Sequence, residues 1–209
     1  AVLIPEIPVD FNILYEHCKK RFFDRVTASD VKAGTYLVIV AEGLKDATGD
    51  EIVDENAGVD AFGHKRLAGA GKFVENQLTV RFKNDPEVRE LMKKEKMFVE
   101  SLYEVPEVRS VAPGHLVRCG HSTVYDVNFG KQIGAAAIVL LNDGHSGVSV
   151  VGLNHGKIQY METTKLIQQR YVDLNDVAFY ENLGICFGRP PVDAKIEAEE
   201  YTGTIARFM

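Results

Sequence analysis

The sequence predicts an α/β protein built on an open, mostly parallel sheet flanked by helices. Three stretches predict it. "AVLI" (1–4) is a short apolar run closed by Pro5, and "PVDFNILYEHCKKRFFDRV" (8–26) sets Ile13, Leu14, Cys18, Phe22 and Val26 at helical spacing. "TYLVIVAEG" (35–43) is a continuous β-branched run ending in an acid and a glycine, the pattern of a strand buried on both faces. Strand, helix and strand in that order form a βαβ unit.

The first run enters directly as a buried strand with a proline exit, so the sequence reads as starting inside a larger protein. Asp10 is placed to cap the following helix. Residues 44–71 are polar and glycine-rich without a sustained period, which predicts a long loop excursion. A helix follows at 72–82 and a second at 84–97, the latter with Asp85 as its N-cap and Pro86 at its first position.

"EVRSVA" (107–112) predicts a short strand. The next helix, capped by Ser122 and stopped at Gly144, carries Gly130, Gly134, Ala135 and Ala136, small residues that permit close packing. "GVSVVGLNHGKIQYM" (147–161) predicts two strands about a tight turn at Asn154 to Gly156. A helical 161–169, a short helix at 175–182 and a charged tail after Pro191 complete the chain. The predicted organisation is an α/β domain over 1–121, with its excursion at 44–71, and a helical and hairpin segment over 122–209.

With 209 residues, 45% hydrophobic and 26% charged, the chain has the composition of a folded globular protein. Thirty acidic residues against 24 basic ones, a net charge of −6, exclude the basic face that nucleic acid or an anionic membrane would need. Cys18, Cys119 and Cys186 follow no CxxC spacing, so reduced thiols and a cytoplasmic location are expected, with no structural zinc. Apolar runs such as "GAAAIVLL" (134–141) are too short to span a bilayer, and no basic leader or cleavage site opens the chain.

Against that acidic background, "RSVAPGHLVRCGH" (109–121) gathers two arginines and two histidines around a Pro-Gly turn. The planar fork of arginine suits a phosphate dianion, and Gly114 lets backbone approach a ligand closely. The alternative is a set of exposed arginines paired with Glu104 or Glu107. Glu42, at the carboxyl end of a predicted strand, also has two readings. It can accept hydrogen bonds from ligand hydroxyls, as residues there do in open α/β sheets, or cap the next turn. His64, His145 and His155 read as solvated turn residues, His17 as a surface residue, and Cys119, beside Arg118, as a thiol without a reactive role.

"LIPE" (3–6), "IVAEG" (39–43) and "RSVAPGHLVRCGHSTVYD" (109–126), in that order, resemble the second half of a phosphofructokinase. The family's acceptor motif is an Arg, a His or Tyr six positions on and an Arg three further, and Arg109, His115 and Arg118 keep both intervals. Many relatives follow the second Arg with two glycines, where this chain has Cys119 and Gly120.

The resemblance implies a phosphofructokinase-like Rossmann-type domain in which Glu42 binds the sugar hydroxyls of fructose 6-phosphate. It implies that His115 and Arg118 contact the same ligand, and that Arg109 grips its 6-phosphate from a neighbouring subunit of a homo-oligomer. "DAFGHKRLAG" (60–69) is similar to the pyrophosphate-using branch, with ATP as the alternative donor. The family's Gly-Gly-Asp-Asp donor loop, its Thr-x-Asp-x-Asp segment with the catalytic base and its Met-Gly-Arg motif all precede "LIPE" and do not occur here. Mg²⁺, the donor and the base are therefore expected to be served by that other half, with no catalytic residue in this chain and no activity from it alone. The competing expectation is a non-catalytic sugar-phosphate-binding or regulatory module.

Overall fold

The computed structural model describes residues 1–50, 52, 69–117, 119–168, 170–193, 198–200 and 202. Two units emerge, one made of Ala1–Ala112 with Val172–Met209 and the other of Pro113–Tyr171. The boundary expected at 121/122 thus falls inside the second unit, and the chain returns to the first from Val172 onward.

In the first unit, β1 (Val2–Leu3) pairs in parallel with β2 (Ile39–Val40), Val2 opposite Ile39 and Leu3 opposite Val40. Pro5, which lacks an N–H, stands two residues after β1 and keeps this ladder short. On the other side of β1, Val2 N donates to the carbonyl of Cys186 at 2.9 Å. The connection between the strands is α1 (Phe11–Ala28), whose cap Asp10 accepts from the N–H groups of Asn12 at 2.8 Å and Ile13 at 3.3 Å. Its buried face is Leu14, Tyr15, Cys18, Phe22 and Val26, the stripe that the helical spacing requires.

That stripe packs into one core with α2 (Ala70–Asn84), through Val74, Leu78 and Phe82, and α3 (Pro86–Lys94), through Val88, Leu91 and Met92. Asp85 links the three helices. It caps α3 by accepting from Glu87 N at 2.9 Å, accepts from the Tyr15 hydroxyl at 2.7 Å and pairs with Lys19 at 2.7 Å. Further on, α4 (Val124–Asn142) belongs to the second unit, while α6 (Leu174–Asn182) rejoins the first, with Val177 clustered against Ile7 and Phe187.

In the second unit, Thr123 rather than Ser122 caps α4, accepting from Asp126 N at 3.2 Å. β3 (Val148–Asn154) and β4 (Lys157–Glu162) form the expected antiparallel hairpin, turned by His155 at φ +49° and Gly156 at φ +74°. The short α5 (Thr163–Leu166) follows, tied to β3 by the hydroxyls of Ser149 and Thr163 at 2.9 Å. α4 buries Ala136 and Leu140 but exposes Val124, Tyr125, Phe129, Ile138 and Leu141.

Helices with small parallel and antiparallel sheets are an α/β architecture, but the described residues form two-stranded sheets rather than one broad open sheet. Two expected strands account for the difference. Within 35–43, Ile39–Val40 pair, and burial alternates: Tyr36, Val38 and Val40 pack on the core while Leu37 is 73% and Ile39 56% exposed. This run is therefore open on one face, where burial on both was expected. Residues 107–112 pair with no described strand. Proline brackets the segment at Pro106 and Pro113, and the N–H of Ser110 is taken by the Glu75 side chain instead of a strand partner. The part of the excursion at 53–68, including His64 and all but Gly69 of "DAFGHKRLAG", lies outside the described residues. Among those residues no helix is long and apolar enough to cross a membrane.

Candidate functional site

The parallel pairing of β1 and β2 puts their carboxyl ends side by side, and each runs straight into a turn. After β1, Ile7 N donates to the Ile4 carbonyl at 3.2 Å, which folds Pro5 and Glu6 over. After β2, Leu44 N donates to the Ala41 carbonyl at 3.3 Å, with Glu42 and Gly43 at the centre of the turn. The two turns touch. A Cβ on Gly43 would stand 3.3 Å from Cγ of Pro5, so glycine is what lets them nest. The result presents the Glu42 side chain, exposed, at the carboxyl end of a parallel strand. It makes no hydrogen bond or ion pair among the described residues, so its carboxylate is available to hydroxyl donors.

Just below, Glu6 Oε1 accepts from Val172 N at 3.1 Å, which fastens the returning chain to the turn after β1. Asp46 closes the loop after β2 by accepting at one oxygen from Thr48 N at 2.8 Å, Thr48 Oγ1 at 2.5 Å and Asp50 N at 3.1 Å. The Thr48 hydroxyl, then the backbone donors, hold its carboxyl below the usual range.

Arg109 lies on the exposed segment 107–112 of the same unit. Its Nη2 is 2.7 Å from Glu107 Oε2, with 77% of the arginine and 57% of the glutamate side chain exposed. The hydrogen bond and charge of Arg109 lower the Glu107 carboxyl pKa, and the same contact raises that of the guanidinium. The pairing with Glu107 named as an alternative from the sequence is therefore made. Next along the chain, Ser110 N, at 3.1 Å, and its hydroxyl both donate to Oε2 of Glu75, whose Oε1 accepts from Lys72 at 2.5 Å. The Lys72 ammonium first, then the Ser110 hydroxyl, depress the Glu75 carboxyl.

His115 belongs to the second unit, in a single 3₁₀ turn (Gly114–Val117) that Gly114 enters at φ +52°. Arg118 lies outside the described residues. Of the four candidate residues, Glu42 and Arg109 thus share a unit, without a hydrogen bond or ion pair between them among the described residues. Among the described residues no group of three or more His, Cys, Asp or Glu side chains could hold a metal ion. A cavity of about 280 Å³ beside α1, lined by Arg21, Asp24, Arg25 and Tyr36, includes none of the four.

Sequence reasoning missed the Glu75 and Ser110 pair. The spacing of Lys72 and Glu75 on one helix was visible, but their contact with a residue 35 positions on was not. His17, expected at the surface, is half-buried with its ring 5.7 Å from that of Tyr36, and burial, then Arg21, lowers its pKa. His145 and His155 lie in exposed turns as expected, the former with its ring 4.8 Å from that of Tyr160.

Comparison with known proteins covers these residues. The sequence is 25% identical over 190 residues to the pyrophosphate–fructose 6-phosphate 1-phosphotransferase of Streptomyces coelicolor, across 90% of this chain and 45% of that protein. It is 26% identical over 167 residues to the ATP-dependent 6-phosphofructokinase 2 of Clostridium perfringens, across 80% of this chain and 37% of the other. It is 30% identical over 149 residues to the ATP-dependent 6-phosphofructokinase 3 of Streptomyces coelicolor, across 70% and 34%. The chain spans less than half the length of these curated relatives. No solved structure matches it significantly. The family profile described as phosphofructokinase matches residues 1–141, a span that takes in Glu42, Arg109, His115 and Arg118, and the chain belongs to the phosphofructokinase family.

Proposed function

We propose that this chain is the fructose 6-phosphate-binding part of a 6-phosphofructokinase, which phosphorylates the 1-hydroxyl of that sugar in glycolysis. The observation that carries the reading is the family match across the whole Arg109, His115 and Arg118 motif together with Glu42. In this reading Glu42 accepts hydrogen bonds from sugar hydroxyls, and Arg109, His115 and Arg118 hold the ligand. Fixing the 6-phosphate fixes the distant 1-hydroxyl for in-line attack, so the contribution of this chain to the rate is positioning. Assembly into a homo-oligomer belongs to the same proposal. Segment 122–209 is proposed to complete the donor domain.

The described residues offer no cluster fit for a metal ion. Mg²⁺, which assists phosphoryl transfer in such enzymes, is assigned in this reading to residues outside this chain, together with the donor and the base, because the family motifs that serve them do not occur in it. Pyrophosphate is the proposed donor, on the likeness of "DAFGHKRLAG" and of the pyrophosphate–fructose 6-phosphate 1-phosphotransferase of Streptomyces coelicolor. ATP is the second reading, favoured by the comparable identity to the Clostridium perfringens enzyme.

Two assays test this. The 209-residue chain with Mg²⁺, fructose 6-phosphate and either donor is expected to yield no bisphosphate. The polypeptide that carries this chain joined to a donor half is expected to yield it, with pyrophosphate. Turnover by the chain alone overturns the half-enzyme reading, and failure of the longer protein with both donors overturns the enzyme reading in favour of a sugar-phosphate-binding module.

A further inference from the structure

We infer that Glu75 is a positioning residue for Arg109, holding segment 107–112 so that the guanidinium is presented to a phosphate dianion. The inference rests on the proposed role of Arg109 as a phosphate ligand and adds what fixes it.

The segment cannot hold itself. It has no strand partner among the described residues, and residues 109–112 are exposed, so freezing it opposes the conformational entropy of an irregular segment. Glu75 supplies the restraint from a rigid element, standing on α2 between the buried Val74 and Leu78 with 16% of its side chain exposed. Its two oxygens divide the task. Oε1 is oriented by Lys72 at 2.5 Å, and Oε2 accepts both the N–H, at 3.1 Å, and the hydroxyl of Ser110. Such a doubled, charge-assisted contact fixes both the position and the rotation of one residue.

Rotation is what matters to Arg109. Ser110 is bound to Glu75 on α2, while the side chain of the residue before it, Arg109, is 77% exposed and reaches Glu107. Fixing Ser110 by both its N–H and its hydroxyl limits the directions open to that neighbouring side chain. Without Glu75 the guanidinium would still be on the chain, but its direction would be one of many.

The experiment measures kinetics of the enzyme that carries this chain, with fructose 6-phosphate varied. Glu75→Ala is expected to raise KM for fructose 6-phosphate roughly tenfold while kcat at saturating sugar and KM for the donor hold. Glu75→Gln keeps an oxygen for Ser110 and is expected to recover most of the loss. In an Arg109→Ala background, Glu75→Ala is expected to add nothing, because the group it positions is gone. If Glu75→Ala does not fold, Ser110→Ala removes the hydroxyl bond alone and is expected to raise the same KM roughly threefold. Additive effects of Glu75→Ala and Arg109→Ala overturn the inference, as does an unchanged KM in Glu75→Ala or Ser110→Ala while Arg109→Ala is impaired. An Arg109→Ala enzyme with unaltered KM fails the reading of Arg109 first, and the inference with it.

Discussion

Arg189 closes on Glu181 with Nε 2.8 Å from Oε1 and Nη2 3.2 Å from Oε2, gripping a carboxylate whose side chain is 1% exposed. Val192 N also donates to Oε2, at 3.1 Å. These contacts clamp the chain after Gly188 onto α6, the element that brings the far end of the sequence back to the first unit. Removing one partner of a buried pair strands the other, so Arg189→Ala should lower stability by about 2–4 kcal/mol. Arg189→Lys, which cannot reproduce the two-pronged contact, should recover only part. Urea midpoints with an unchanged slope would measure both.

Acid should undo the same clamp. Burial works to raise the Glu181 pKa, but the hydrogen bonds from Arg189 and Val192 outweigh it, and the net shift is downward. A carboxyl depressed in the folded state contributes stability that is fully present above its unfolded pKa, near 4.3. That contribution is lost as pH falls through the lower folded value. The fall in stability on acidification below about pH 4.5 should therefore be shallower in Glu181→Gln than in the parent chain, at the cost of lower stability at pH 7. Urea melts across pH 3 to 7 give the comparison, and parallel curves would remove Glu181 from the acid response.

Gly34 marks a place where the core admits no extra carbon. A Cβ there would lie 2.5 Å from Phe22 Cε2 and 2.5 Å from Val26 Cγ2, both on the buried face of α1. Gly34→Ala must displace an aromatic ring and a β-branched side chain, which costs about 1–3 kcal/mol. Thermal melts should show a lowered midpoint, and an unchanged one would mean that the segment ahead of β2 yields freely.

The parts of this fold that sequence made legible are those fixed by neighbours in the chain. Asp85 and Pro86 mark the start of α3, Asn154 to Gly156 the hairpin, and Leu14, Cys18, Phe22 and Val26 the buried stripe of α1, all through local chemistry. Strand pairing is not local. The run at 35–43 has the composition of a central strand, yet only Ile39 and Val40 meet β1, and 107–112 gives its Ser110 N–H to a carboxylate. The same limit applies to the site: Glu42 at a strand end and the pairing of Arg109 with Glu107 were both readable from short range. The anchor at Glu75 was not.

In the proposed role of Arg109 as a phosphate ligand, Glu107 is a competitor: its carboxylate is 2.7 Å from Nη2 and takes one of the donors that a phosphate oxygen would use. Glu107→Gln removes the competing charge and should lower KM for fructose 6-phosphate roughly two- to fivefold. Because both groups are exposed, the gain should shrink as salt rises past about 0.15 M. Kinetics of parent and variant at low and high salt decide it, and a raised KM in Glu107→Gln would mean that the glutamate orients Arg109 rather than blocking it.

The last question is whose ligand Arg109 holds. Arg109 and His115 are six positions apart, and an extended chain of that length reaches up to about 20 Å, too far for both to meet one phosphate unless the chain folds back. The alternative that belongs to the proposed function is a site shared between subunits, with Arg109 from one and Glu42, His115 and Arg118 from the other. A ligand that bridges two subunits also favours their assembly by mass action, so fructose 6-phosphate should stabilise the oligomer on dilution. Subunit mixing in the enzyme that carries this chain tests the arrangement. Arg109→Ala and Arg118→Ala subunits, each expected to lose roughly ten- to hundredfold in kcat/KM, are dissociated, combined and allowed to reassemble. Shared sites would leave some pockets of the mixed oligomer with both arginines, and activity should return. If mixed oligomers form and stay as inactive as their parents, Arg109 serves the pocket of its own chain.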